Sequence, residues 1–423
     1  MKTLALCLFI AMYVLLLTFQ RARAYIALGA ALLFVVLGIL PVGDVFGAVD
    51  WNVILMIAGT MGTVFLFTES KMPALLADWI IDKTPNVKWA VIWLSLFAGL
   101  ISAFVDNVAT VLMVAPVAIT IAKKLQISPV SMIICIAVSS NLQGAATLVG
   151  DTTSILLGGY ADMDFLDFFV YDGKPGMFFV VQVGALVSML VLLVLFRKDT
   201  QRIQIDARTQ VTDYFPTVLM VGTVVLLILA SFLPHKPAIT NGLICVGLFL
   251  IGLIYHVCRY RDRSILPRAF KEIDYFTLGL LAGLFIVIAG ITQVGIIDDI
   301  SRLFLRLSGD NVFLVYTLLV FASVVFSAFI DNIPYVATML PVVAGIAQIL
   351  GIAPHVLYFG LLAGATLGGN LTPIGASANI TALGILRKDG HTVSTGQFMR
   401  IGVPFTLSAV LTGYVLIWLL WGF

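Results

Sequence analysis

Apolar residues run along this chain in blocks about as long as a membrane is thick, separated by short polar joints. Runs near residues 3–20, 25–43, 52–68, 176–196, 214–233, 238–256, 274–293 and 399–422 each predict a spanning helix, because the hydrocarbon core takes roughly 20 apolar residues in helical form. Four other stretches differ. Residues 89–122 and 311–350 carry Asp-Asn near the middle of a long apolar run and predict re-entrant helical hairpins. Residues 129–158 and 355–386 are interrupted by Gly-, Thr- and Asn-rich segments and predict spans with an unwound centre. A bilayer accepts such breaks only where the backbone is buried in protein or lines a cavity.

The two kinds of stretch repeat. Ser102–Val117 (SAFVDNVATVLMVAPV) and Ser327–Val342 (SAFIDNIPYVATMLPV) share eight of 16 positions at a constant shift of 225. Beyond them Gly144 pairs with Gly369, Thr147 with Thr372, Gly150 with Gly375 and Ile155 with Ile380, while upstream Asp50-Trp51 matches Asp274-Tyr275 at a shift of 224. Chance similarity between apolar helices explains shared Leu and Val, not shared Asp-Asn, Pro and Gly at one offset.

Charge orients the spans. With the chain starting outside, 19 of the 24 Lys and Arg residues fall inside, among them Arg21, Arg23, Arg197, Arg208, Arg268 and Arg400, and five fall outside: Lys2, Lys174, Lys236, Arg302 and Arg306. The positive-inside rule then gives ten crossings, two hairpins returning to their own side, and both termini outside. The two copies start from opposite sides, the arrangement of secondary transporters whose site lies where two discontinuous helices meet.

Composition agrees and removes alternatives. At 61% hydrophobic and 11% charged, with mean hydropathy +1.10, the chain is far from a soluble domain, where about 25% of residues are charged. Ten spans leave no room for an extramembrane catalytic domain, so an enzyme is not expected. A net charge near +2 gives no nucleic-acid patch. Cys7, Cys135, Cys245 and Cys258 lie singly in or beside apolar runs and read as small hydrophobes. No GxxxxGK[ST] loop exists, which argues against ATP-driven pumping. The first 24 residues imitate a signal peptide, but the run is long for one, and an uncleaved first span is expected.

Within the hairpins and broken spans the charged side chains are three carboxylates, Asp106, Asp151 and Asp331, with no Lys or Arg. An ionisable group at span centre costs roughly 2.5–3.5 kcal/mol on the insertion scale, so it usually faces a cavity and carries function. The alternative for each is capping a half-helix N-terminus. These three, with Thr147, Gly150 and Gly375, are the candidates for ion or proton coupling. Asn107, Thr110, Asn141, Thr152, Thr153, Asn332, Asn370, Thr372, Ser377 and Asn379 are the candidates for solute binding, since hydroxyls, amides and freed carbonyls can dehydrate a small cation or hold an oxygen-rich solute. A Na⁺ ion is placed near Asp106, Asn107 and Gly150, and near Asp331, Asn332 and Gly375. No other cofactor is expected beyond Na⁺ or H⁺ as coupling ion.

The tips SAFVDNVAT and SAFIDNIPY, the segments NLQGAATLVGDTTS and GGNLTPIGASANI, and the run IDYFTLGLLAGLF resemble the ion-transporter superfamily. The resemblance covers nearly the whole chain and points to the branch with the arsenite permease, the NhaD sodium/proton antiporter, the P protein and plant silicon-efflux carriers. Dicarboxylate/sodium symporters have Ser-Asn-Thr at the tips, from which Asp106-Asn107-Val108 and Asp331-Asn332-Ile333 depart. The resemblance implies an all-α polytopic fold, an elevator motion of a transport domain against a scaffold, and a homodimer, with residues 1–88 and 199–310 as scaffold and 89–198 and 311–423 as the transport halves. The expected function is proton- or sodium-coupled carriage of a small oxyacid (arsenite- or silicate-like) or anion in a bacterial plasma membrane. Sodium/proton antiport and passive channel-like conduction are the alternatives.

Overall fold

The computed structural model describes residues 1–202, 209–309 and 311–422, so Arg208 of the charge count lies outside the described residues. Its architecture is all helical apart from one two-residue-per-strand hairpin, Val170–Tyr171 against Lys174–Pro175. Each expected crossing is a helix: Lys2–Thr18, Arg23–Val36, Trp51–Glu69, Met177–Leu195, Phe215–Ser231, Thr240–Tyr260, Tyr275–Gln293 and Thr395–Trp421. The other two are broken spans, Val130–Gly144 with Thr152–Tyr160 and His355–Gly368 with Ser377–Lys388. The hairpins are Val87–Ser102 with Asn107–Leu125 and Val312–Ser327 with Asn332–Leu350. Among the described residues seven helices are long and apolar enough to cross a membrane unaided; the broken spans reach that length only by joining two short pieces.

Three helices are absent from the apolar-run reading because they are short and carry charge: Met72–Asp82 with Asp78 and Asp82, Ile265–Glu272 with Arg268, Lys271 and Glu272, and Ile296–Ser308 with Asp298, Asp299, Arg302 and Arg306. Met72–Asp82 buries Met72, Pro73, Ala77 and Ile81, and Ile296–Ser308 buries Ile296, Ile297, Ser301 and Ser308. A scan for unbroken hydrophobicity passes over such one-sided helices; a period of 3.6 finds them. They extend the repeat, since each starts after a left-handed residue, Lys71 (φ 61) and Gly295 (φ 74), at the same shift of 224.

Packing crosses between the copies. Trp51–Glu69 packs on Thr240–Tyr260, and Tyr275–Gln293 packs on Arg23–Val36. Gly59 and Gly283 allow both: a side chain at Gly283 would meet the backbone of Ala27 at 2.6 Å and Leu28 at 2.7 Å, and one at Gly59 would meet Cys245 and Val246 in the same way. Close approach through small residues is how helices gain dispersion contact in lipid, where burial offers no hydrophobic gain. The broken spans interlock likewise, Ser377–Lys388 against Asn107–Leu125 and Thr152–Tyr160 against Asn332–Leu350.

Replacing Gly283 by Val forces two backbones apart and is expected to cost about 1–3 kcal/mol. Gly222 and Gly247 have open space around them, so Val at either should change stability by less than about 0.5 kcal/mol. Thermal unfolding of the purified protein in detergent separates the two outcomes.

Candidate functional site

Each hairpin turns on an Asp that caps its second arm. Asp106 Oδ1 accepts the backbone N–H groups of Val108 and Ala109 at 3.0 and 3.1 Å, and Asp331 Oδ1 accepts that of Ile333 at 3.1 Å. Across the break of each broken span a Thr hydroxyl ties the tip down: Thr147 donates to the Ala103 carbonyl and Thr372 to that of Ala328. Two glycines close the junction. A Cβ at Gly150 would lie 2.6 Å from the Gly144 carbonyl oxygen and 2.9 Å from those of Ala103 and Ser102; at Gly375 it would lie 2.6 Å from the oxygen of Gly369 and 2.9 Å from those of Ala328 and Ser327. Three carbonyl oxygens therefore gather beside each glycine. Oxygen donors of this kind suit hard cations, and among the described residues no group of three His, Cys, Asp or Glu side chains could hold a metal ion.

Amides join the two junctions. Asn107 Nδ2 donates to Asn141 Oδ1 at 2.9 Å, and Asn141 Nδ2 donates to the Thr366 carbonyl at 2.8 Å and to Asn370 Oδ1 at 3.2 Å. Asn370 Nδ2 returns to the Val138 carbonyl at 2.8 Å. Asp151 accepts the Thr152 N–H at 2.8 Å and the Thr153 hydroxyl at 2.9 Å, and Thr153 bonds Thr366 across the copies at 2.9 Å. Asn379 Nδ2 reaches the carbonyls of Gly369 and Thr372, both at 3.1 Å. The network fixes the freed backbone of both breaks.

Beside this junction lies a cavity of about 240 Å³. Of the residues singled out in the sequence, Asp106, Asn107, Asn141 and Asp151 line it, as do Thr152, Asp331, Asn332 and Ser377. Thr110, Thr147, Gly150, Thr153, Asn370, Thr372, Gly375 and Asn379 do not line it; Thr110, for example, is fully buried and bonds the Asp106 carbonyl at 3.0 Å. They stand behind the wall and hold it. The facing wall comes from Met61, Val64, Phe65 and Thr68 on one span and Asp274 and Thr277 on its repeat counterpart, with Glu272 beside them.

Two corrections follow from this geometry. Asp331 is not a lone charge: Arg23, counted from sequence among the inside charges, places Nη1 2.5 Å from Asp331 Oδ2, with 17% and 14% of the two side chains exposed. A carboxylate so shielded needs a counter-charge, and this one comes from a span 308 residues away, beyond the reach of a scan along one segment. The cavity also holds two carboxylates that the sequence reading did not select, Glu272 and Asp274. A signal for Asp274 existed, because it repeats Asp50 and both cap the spans that follow. In all, five carboxylates line the cavity and, among the described residues, no Lys, Arg or His does.

Comparison with known proteins agrees with the architecture. The chain matches the family of citrate transporters over residues 13–364 and 266–422. It is 31% identical to an uncharacterized transporter of Mycobacterium tuberculosis over 428 residues, covering 99% of this chain and 98% of that one. It is 24% identical to the P protein of Homo sapiens over 86% of this chain and 53% of the other. Among solved structures, the Alcanivorax borkumensis YdaH transporter superposes with a TM-score of 0.59 at 16% identity, covering 90% of this chain and 88% of that one. Neisseria gonorrhoeae MtrF, from a class described as antimetabolite efflux pumps, superposes with a TM-score of 0.55 at 17% identity, covering 89% and 82%. The chain belongs to the citrate transporter family and is a membrane transporter rather than an enzyme.

Proposed function

We propose that the protein is a secondary active transporter in which Na⁺ or H⁺ drives a small oxyacid or anion through the cavity between the hairpin tips. The observation that carries this reading is the acidic, base-free lining next to two carbonyl clusters. Four of the five carboxylates lie away from Arg23, so a free multivalent anion would meet net repulsion. A neutral oxyacid enters without that cost, and an anion enters accompanied by cations. The coupling ion takes its place at the tips, with Asp106, Asn107 and Gly150 on one side and Asp331, Asn332 and Gly375 on the other. The junction moves as a transport domain against a scaffold that includes Trp51–Glu69 and Tyr275–Gln293, in a homodimer seated in a bacterial plasma membrane. The same excess of carboxylates favours a second reading, Na⁺/H⁺ exchange with no other solute.

A thermal-shift screen of the purified protein across Na⁺, Li⁺, pH, arsenite, silicate and small carboxylates sorts the readings, because a ligand stabilises the form it binds. Stabilisation by an oxyacid or anion that grows with Na⁺ or acid supports the carrier; response to Na⁺ and pH alone supports exchange. In proteoliposomes, Asp106→Asn and Asp331→Asn are each expected to remove coupled flux while the protein stays folded, and unchanged flux in the double variant refutes the assignment.

The carbonyl clusters give a separate test. Gly150→Ala and Gly375→Ala each push a methyl group into three backbone oxygens and are expected to cost about 1–3 kcal/mol. Each should also abolish any stabilisation by Na⁺ in the same thermal assay. A Na⁺ response of full size in both variants would remove the carbonyl clusters from the ion's path.

A further inference from the structure

The repeat makes the two ends of the molecule comparable, and they are not in the same state. Asp50, Val53 and Gly159 of the first copy correspond to Asp274, Thr277 and Gly384 of the second at shifts of 224 and 225. In the first copy the three meet: a Cβ at Gly159 would lie 2.5 Å from Asp50 Oδ2 and 2.6 Å from Val53 Cγ2, and Val53 is fully buried. In the second copy the contact is open, since nothing lies within 4 Å of a Cβ at Gly384, and Asp274 and Thr277 line the cavity. The helices agree, for Trp51–Glu69 packs on Thr152–Tyr160 while Tyr275–Gln293 has no comparable packing with Ser377–Lys388. The structure is closed at the Asp50 end and open at the end that carries Arg259 to Lys271.

A second pair of equivalents follows from the helix crossings. Because Gly283 meets Ala27 and Leu28 where Gly59 meets Cys245 and Val246, the crossing helices correspond at a shift of 218, which pairs Arg23 with Asn241. Arg23 holds Asp331. Its counterpart Asn241 is 7% exposed and, among the described residues, its Oδ1 has no hydrogen-bond partner. The carboxylate equivalent to Asp331 is Asp106, which faces the cavity.

Resting on the reading of the chain as an alternating-access transporter, we infer that Arg23 and Asn241 are positioning residues that hold the two end states. Arg23 clamps Asp331 in the state seen here, and in the opposite one Asn241 turns its amide Nδ2–H, the group that can donate to a carboxylate, toward Asp106. In that opposite state Gly384 seats on Asp274 and Thr277, Arg23 releases Asp331, and Asp50 and Val53 face the opened cavity. Exchange of conformation between inverted copies produces both states from one set of contacts. The two holds differ in strength, since a guanidinium brings an opposite charge to the carboxylate and an amide brings a hydrogen bond alone. The sequence therefore favours the state observed.

Labelling with a membrane-impermeant maleimide tests this without any solute, after the exposed Cys7 and Cys258 are changed to Ser. Thr277→Cys reports the open end and Val53→Cys the closed end. Arg23→Gln is expected to speed labelling at Val53→Cys several-fold and slow it at Thr277→Cys; Asn241→Arg should do the same about tenfold by creating a charged hold for Asp106. Arg23→Gln combined with Asp331→Asn leaves no unpaired carboxylate at that tip and serves if the single variant fails to fold. Unchanged rates at both reporters, or rates that rise together, overturn the inference. Opposite shifts with no flux of any proposed solute would instead leave the holds standing and reject the proposed function.

Discussion

A helix cut open at membrane depth leaves N–H and C=O groups with no water to satisfy them, and each such group costs several kcal/mol in hydrocarbon. The structure around both breaks answers that constraint. Thr147 and Thr372 tie the breaks to the hairpin tips, Asp106, Asp151 and Asp331 cap the half-helices that restart there, and Asn141 and Asn370 bridge the copies through one another and through backbone carbonyls. Satisfying these groups and building a site are the same act. Asp106 shows both at once: one oxygen accepts from its own turn while the side chain lines the cavity.

Capping and transport roles therefore do not compete at these aspartates. Read from sequence they are alternatives; in the structure one oxygen of the same carboxylate accepts from the helix start while the side chain lines the cavity. Capping fixes the carboxylate at the tip, against the positive end of the half-helix dipole.

The hairpins, the breaks and their inverted repetition were legible because membrane depth makes polar residues scarce, so each one in an apolar run stands out. What the sequence hid falls into two physical classes. The helices Met72–Asp82 and Ile296–Ser308 are short, carry charges and bury one side, so they belong to a 3.6 period rather than to a run. Arg23 and Glu272 sit at segment ends, where basic and acidic residues look like ordinary surface anchors; only tertiary packing brings Arg23 to a tip 308 positions away and Glu272 to the cavity. Local reading recovers what the bilayer imposes on each segment and loses what one segment does for another.

Inverted copies with identical sequences would have two end states of equal energy. Here the copies share only half of their positions even at the tips, and three of the departures fall at or beside the site: Asp151 against Ala376, Ser154 against Asn379, and Arg23 against Asn241. Asp151 adds a carboxylate to one junction, with Thr153 as its partner, where the other junction has Ala376. Arg23 sits on the other junction and offsets the charge of Asp331. The cavity therefore carries Asp106 and Asp151 from the first copy and Glu272, Asp274 and Asp331 from the second, of which Asp331 alone has Arg23 against it. The backbone repeats between the copies while these side chains do not, and the contact that is closed at Gly159 is open at its counterpart Gly384.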